Sequence, residues 1–288
     1  MVKHILSNGC SFTSGGLRET GDRYDVAWPA VLAENMKCKV TNIATSGAGN
    51  TRIYDLTIKE ISENPGKYDL VVIMWTEATR LDIPAFVIDT TNGEGMGYIS
   101  CDPYRTAFEG MFDFKTNKLK HINEINDVRD WQYKMHQLAE FCSYMNDIDN
   151  YEYKYIGRQK RESIYNKHLM TEWTKIIGLQ SFLKSQNIPF VFAQGTSMLP
   201  SNIMLNIGYQ DVQEMIGQFM IENPIVDLVD TNNWVNWYPC RALGGWDYTH
   251  KLQDFDLNES ADDSHPNIDG NRMIADDFQN AFERIYGT

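Results

Sequence analysis

The sequence predicts one α/β domain, a five-stranded parallel sheet between helices. Three observations predict it. Short apolar runs alternate with helix-length amphipathic segments along most of the chain. One run, Asp69–Trp75, is apolar almost without interruption, as in a parallel strand buried on both faces. The chain has 288 residues, 42% of them hydrophobic and 23% charged, which is enough apolar material for a sizeable core.

The elements follow in order. His4–Ser7 is a short apolar strand ended by Asn8-Gly9. Pro29–Met36 reads as a helix, because proline is tolerated in a first turn that has no N–H partner to lose. Lys39–Ile43 is the second strand. Thr51–Glu63 carries apolar residues at 53, 56, 58 and 61 and is stopped by Pro65-Gly66. Asp69–Trp75 is the third strand. Tyr165–Ser185 is a long helix through Trp173, Ile176, Ile177, Leu179 and Phe182. Ile188–Ala193 is the fourth strand, Asp211–Ile221 a helix and Ile225–Val229 the fifth strand. Gly270–Tyr286 closes the chain as an amphipathic helix. Between Leu81 and about Arg161 the patterning weakens, apart from Trp131–Tyr144, which has helical character. A bare loop of that length is uncommon, so about 82–161 reads as an insertion capping the carboxyl ends of the strands, where open α/β sheets bind ligands.

Composition excludes several functions. Lys plus Arg is 26 and Asp plus Glu is 39, a net charge of −13. Phosphate backbones and anionic membranes are bound by clustered positive charge, so neither nucleic acid nor membrane insertion is expected. No run of 18 apolar residues occurs. The first residues read as a strand rather than a signal peptide, which suggests a cytoplasmic or virion location. The five cysteines are widely spaced with no C-x-x-C pair, which suits free thiols and offers no zinc site. Asp254-x-Asp256-x-Asn258 begins like a calcium loop but has Glu259 at its sixth position and His265 at its twelfth. Gly93-x-Gly95-x-Gly97 lacks the dinucleotide spacing. No cofactor is expected.

Three segments carry chemistry. The first strand ends in Asn8-Gly9-Cys10-Ser11, which can project the Ser11 hydroxyl from the top of the sheet. Serine needs a base to become a nucleophile. The second strand ends in Asn42-Ile43-Ala44-Thr45-Ser46-Gly47-Ala48-Gly49-Asn50. The Gly47 N–H and the Asn50 amide are candidate donors to an oxyanion, and Asn50 is equally a candidate N-cap of the following helix. Near the end stands Asp262-Asp263-Ser264-His265-Pro266. In Asp262-x-x-His265 the carboxylate can hold one imidazole nitrogen and leave the other as base. Asp247-x-x-His250 is a rival pair, ranked lower because no helix-start signal follows it.

Together Gly9-x-Ser11, Asn42-x-Ala44-x-Ser46-Gly47 and Asp262-x-x-His265-Pro266 resemble the SGNH, or GDSL, hydrolases, in the family's order and across most of the chain. The resemblance implies a flavodoxin-like three-layer α/β/α sandwich and a serine ester hydrolase acting on acyl or acetyl esters of lipids or sugars. It casts Ser11 as nucleophile, His265 as base, Asp262 as carboxylate and the Gly47 N–H as an oxyanion donor. Two positions depart from the pattern. Cys10 stands where the family has Asp. The third block, Trp75-Thr76-Glu77-Ala78-Thr79-Arg80, has Thr76 where the family has an oxyanion-binding asparagine. Trp75-x-x-x-x-Arg80 resembles divergent members encoded by tailed phages, and Thr76 and Arg80 stand with Gly47 and Asn50 as candidate oxyanion- or substrate-binding residues.

The expected substrate is a small ester or an acetylated glycan, with carbohydrate deacetylation preferred. Aromatic faces at Tyr151, Tyr153, Tyr155, Trp234, Trp237, Tyr238, Trp246 and Tyr248 can stack on sugar rings, with core packing as the alternative. The Lys154, Arg158, Lys160, Arg161 cluster is a solvated helix end or a contact for an anionic sugar or a subunit. A non-catalytic glycan-binding or virion protein on the same fold and an O-acyltransferase are the other readings. Homo-oligomer and virion assembly both stay open.

Overall fold

The computed structural model describes residues 2–17, 21–22, 26–78, 80–89, 93–101, 112–113, 118–119, 158–199, 209–260 and 263–287. Four parallel strands make the sheet: β1 (His4–Asn8), β2 (Lys39–Asn42), β3 (Leu70–Trp75) and, after the hairpin of β4 (Leu81–Asp89) and β5 (Gly93–Cys101), β6 (Phe190–Gln194). Their order is β6-β3-β1-β2, the order of flavodoxin-like sheets, with the sequence in which parallel strands are added switching sides between β1 and β3. The α/β class and the parallel sheet agree with the sequence.

The strand count does not. Ile225–Val229 was expected as the fifth strand, and Pro224–Leu228 is a 3-10 helix instead. Pro224 has no N–H for a ladder, and the Asn223 side chain accepts from the Ile225 N–H, which curls the chain at once. The fifth position is reached later and only by a single parallel bridge, Phe192 to Trp234, with the Val235 N–H donating to the Phe192 carbonyl at 2.8 Å.

Side-chain alternation builds the three layers. Val71, Ile73 and Trp75 of β3 face one apolar cluster, whereas Leu70, Val72 and Met74 face the other. On the first face pack α3 (Asn50–Glu63), α4 (Arg158–Ser185) and α5 (Tyr209–Glu222). Of the stripe read from the sequence, Trp173, Ile176 and Leu179 of α4 are buried there, joined by Leu169, whereas Ile177 and Phe182 are half-buried. On the second face pack α2 (Trp28–Asn35), α6 (Tyr248–Asp254) and α7 (Ile268–Tyr286). Trp28 stacks on Phe278 at 4.3 Å between ring centres, tying α2 to α7. Asn267 caps α7 by accepting from the Gly270 N–H, and Asp269 and Arg284 lie at the helix ends their charges favour.

Helix α4 begins seven residues before the expected Tyr165. The start of the expected insertion is an antiparallel hairpin, β4 (Leu81–Asp89) with β5 (Gly93–Cys101). Its glycine-rich second strand hid it from periodicity. The expected helix at 131–144, Lys154 and the Tyr151–Tyr155 aromatics lie outside the described residues.

Candidate active site

The sequence shapes the first segment by crowding. The Asn8 amide donates to the Ile53 carbonyl and to Thr57 Oγ1, each at 3.0 Å, and its oxygen accepts from the Gly9 N–H. A Cβ at Gly9 would lie 2.2 Å from Thr13 Oγ1 and 3.0 Å from the Met74 carbonyl, so the chain turns this tightly only with glycine. Cys10 is buried as a small apolar filler, and its carbonyl accepts from the N–H groups of Thr13 and Ser14. These bonds start α1 (Ser11–Ser14) and leave Ser11 half-buried at the carboxyl end of β1.

His265 arrives on β8 (Asp263–Pro266), which pairs with β7 (Asn258–Ser260). Ser11 Oγ lies 2.8 Å from His265 Nε2, and His265 Nδ1 lies 2.5 Å from Asp263 Oδ1. The Asp263 carboxylate also accepts from the His265 backbone N–H at 2.9 Å. Burial pushes the Asp263 carboxyl upward, but the backbone and ring hydrogen bonds from His265 outweigh it and hold the group below its ordinary value. Asp263 is therefore a carboxylate that can only accept, so Nδ1 carries the ring proton and Nε2 presents its lone pair to the Ser11 hydroxyl. The Phe12 ring packs 5.3 Å from the imidazole.

Asp262 lies outside the described residues. Asp263, one position on, is the carboxylate at His265, and the sequence reading missed it. The signal was present but read with the wrong period. In a strand residues i and i+2 share a face, so Asp263-Ser264-His265 pairs its ends once the segment is known to be extended. The rival pair forms as well: both Asp247 oxygens lie within 2.8 Å of His250 Nδ1. Contrary to expectation it does open a helix, since Asp247 is the N-cap of α6. It is His265, however, that bonds Ser11.

The second segment lies beside α1. The Asn42 amide donates to the Thr13 carbonyl at 2.8 Å, the Thr45 N–H to the Gly9 carbonyl at 3.3 Å, and the Ser14 and Ser46 hydroxyls are 3.0 Å apart. Gly47 is exposed with φ +80°, a left-handed backbone that favours glycine.

The other two oxyanion candidates are held on each other. The Thr76 N–H donates to Asn50 Oδ1 at 2.8 Å, and Asn50 Nδ2 donates to the Thr76 carbonyl at 3.0 Å. The Thr76 hydroxyl is 3.3 Å from that of Thr196, and both Asn50 and Thr76 are buried. Asn50 is also not the N-cap of α3. Asp82 of β4 does that work from 33 residues away, accepting from the Gly49 N–H at 2.9 Å and the Arg52 N–H at 2.7 Å. Arg80 reaches the Ala48 carbonyl at 3.5 Å and Glu77 at 3.6 Å, bracing the same turn.

A buried polar group beneath this turn was not foreseen. Glu172 pairs with Lys175 at 2.7 Å, and burial raises its carboxyl despite that cation. His168, one turn earlier, is pushed down to about 4 by burial and by Lys175 and Lys167. Trp234 and Tyr248, two of the candidate sugar-stacking aromatics, are core residues; Tyr238 is exposed. Among the described residues no cluster of His, Cys, Asp and Glu is arranged to hold a metal, and no helix is long and apolar enough to cross a membrane.

No known family model matches the chain, and no curated protein does. Several solved structures resemble it over nearly the whole of both chains. They include the psychrotrophic esterase EstA from Pseudoalteromonas (12% identity, TM-score 0.44, covering 98% of this chain and 97% of that one). A member of the lipolytic protein G-D-S-L family from Veillonella parvula is similar at 12% identity and TM-score 0.41, covering 98% and 99%. The acetyl xylan esterase AlAXEase is similar at 14% identity and TM-score 0.41, covering 96% and 98%. Similarity at this level adds nothing to the chemistry of the site, which stands on its own geometry.

Proposed function

We propose that the protein is a serine ester hydrolase of divergent SGNH type, with Ser11 as nucleophile, His265 as base and Asp263 as the orienting carboxylate. One observation carries the reading: residues 254 positions apart meet as a serine–histidine–carboxylate chain, with contacts of 2.8 and 2.5 Å in the order that activates a hydroxyl. Nε2 takes the Ser11 proton as Oγ attacks the ester carbonyl. The proton then passes to the departing alcohol oxygen, and Asp263 stabilises the transient imidazolium. Water, activated by the same Nε2, releases the acid. The N–H groups of Ser11 and Gly47 are the proposed oxyanion donors. The finer proposal is O-deacetylation of a carbohydrate.

The second reading, a non-catalytic glycan-binding protein, is favoured by the bonds that engage Asn50 and Thr76. Loss of one oxyanion donor lowers rates by about 10²–10³-fold.

The test is hydrolysis of p-nitrophenyl acetate by wild type, Ser11→Ala and His265→Ala, with fluorophosphonate labelling read by intact mass. Turnover lost in both variants and a single label on Ser11 is the expected result. Equal background rates in all three with no label would sink the hydrolase reading and favour the binding protein. Acylated sugar formed on adding acceptor sugars would instead make it a transferase.

A further inference from the structure

The turn that carries Gly47 is gripped from outside by the strand that opens the insertion. Thr45-Ser46-Gly47-Ala48 is a β-turn, closed by the Ala48 N–H donating to the Thr45 carbonyl at 3.0 Å. Gly47 is its third residue and has φ +80°, the signature of a type II turn. Types I and II differ by a flip of the central peptide, here Ser46–Gly47, which carries the Gly47 N–H. The direction of that N–H therefore depends on what holds the two ends of the turn.

One end is tied to the serine segment. The Thr45 N–H donates to the Gly9 carbonyl at 3.3 Å, and the Ser46 hydroxyl is 3.0 Å from that of Ser14, at the far end of α1 from Ser11. The other end is tied to residues 80–82. The Ala48–Gly49 peptide is held at both its polar atoms: the Gly49 N–H donates to Asp82 Oδ1 at 2.9 Å, and the Ala48 carbonyl accepts from Arg80 Nη1 at 3.5 Å. Asp82 Oδ2 accepts from the Arg52 N–H at 2.7 Å, so one buried carboxylate joins the Gly47 turn to the first turn of α3. The residue at the usual capping position is Gly49, which has no side chain to offer. A Cβ there would lie 2.7 Å from Asp82 Oδ2 and 2.9 Å from the Arg80 carbonyl, so glycine makes room for the incoming strand. Gly47 and Gly49 thus meet different needs, a left-handed backbone and a close approach.

We propose that Asp82 is a positioning residue of the ester-hydrolysing site: through the Ala48–Gly49 peptide it holds the Gly47 N–H where the oxyanion forms. The insertion then contributes to the chemistry itself. This inference rests on the reading of Ser11 as nucleophile and of the Gly47 N–H as one of its oxyanion donors. Helix capping alone predicts a less stable protein with unchanged turnover. Positioning predicts the loss of an interaction made only in the transition state, so kcat falls while KM stays.

The test compares wild type, Ser11→Ala, Asp82→Asn and Asp82→Ala on p-nitrophenyl acetate, under conditions where a urea titration shows each protein folded. The kcat of Asp82→Ala should fall about 30-fold or more, approaching the roughly 10²-fold cost of deleting a donor, with KM within about twofold. Asp82→Asn keeps one acceptor oxygen and should fall about three- to tenfold. A wild-type kcat in folded Asp82→Ala overturns the proposal, because the carboxylate would then only cap α3. A fall carried by KM overturns it too. Should Asp82→Ala not fold, Asp82→Asn decides: a lower kcat at unchanged KM supports the proposal, and a wild-type kcat overturns it. Turnover by wild type no faster than by Ser11→Ala would remove the hydrolase reading and this inference with it. Wild-type turnover shared by both Asp82 variants would remove only the role of Asp82.

Discussion

Replacing Asp263 by Asn, beside Asp262 by Asn, is the perturbation that separates two adjacent carboxylates. In the structure Asp263 Oδ1 faces His265 Nδ1 at 2.5 Å and also receives the His265 N–H at 2.9 Å. When Ser11 loses its proton the imidazole becomes a cation, with charge centres roughly 4 Å apart. At an effective dielectric of about 20 that attraction is about 4 kcal/mol. The Asp263 side chain is 34% exposed, so solvent screens part of it. A loss of about 3 kcal/mol in transition-state stabilisation corresponds to roughly a hundredfold fall in kcat/KM. The amide also permits the wrong ring tautomer, which adds to the fall. The assay is kcat/KM for p-nitrophenyl acetate, with the rate of fluorophosphonate labelling as a check on Ser11 itself. Asp263→Asn should fall about 10²-fold or more, and Asp262→Asn should change less than about threefold. A large loss in Asp262→Asn with Asp263→Asn at the wild-type rate would refute the assignment of β8 as the strand that pairs the two ends of Asp263-Ser264-His265.

Two further outcomes follow from residues around the site. Asp82→Ala removes the acceptor of two N–H groups at the start of α3 and should lower stability by about 1–2 kcal/mol, read as a fall in the urea midpoint at unchanged slope. Asp82→Asn, which keeps one acceptor, should fall less. His168 has a folded value of about 4 against an ordinary 6.5. The unfolded chain therefore binds the extra proton between those values, and stability falls as pH drops from about 6.5 to 4. The full difference is about 3 kcal/mol. His168→Gln should flatten that part of the urea-stability profile, and an unchanged slope would show that His168 is not the group responsible.

Much of the architecture is legible in the sequence because it depends on local patterns. Leu70–Trp75 and Phe190–Gln194 are entirely buried, so their runs needed no partner to be recognised as parallel strands. The apolar stripe of α7 equally announces which face is buried. Ser11 and His265 could be named because a turn after a strand and a histidine before a helix are local features. What separates those expectations from the site is long-range. No pattern near residue 82 shows that its carboxylate caps a helix starting at 50, and none near Asn50 shows that its amide is spent on Thr76. Whether Asp262 or Asp263 faces the ring depends on the segment being extended and pinned by β7, which is a tertiary fact. The fifth strand fails for a similar reason. Five apolar residues suit a strand or a tight turn equally, and the Asn223 side chain with Pro224 decides for the turn. The sequence by itself therefore determined the layers, the strand directions and the serine and histidine that the fold brings together, because hydrophobic period and turn chemistry act over a few residues. Only the tertiary structure brought Asp263 to His265, bound Asn50 and Thr76 to each other and set where the second Asp–His pair stands, because a hydrogen bond joins whatever groups the packed chain brings within about 3 Å.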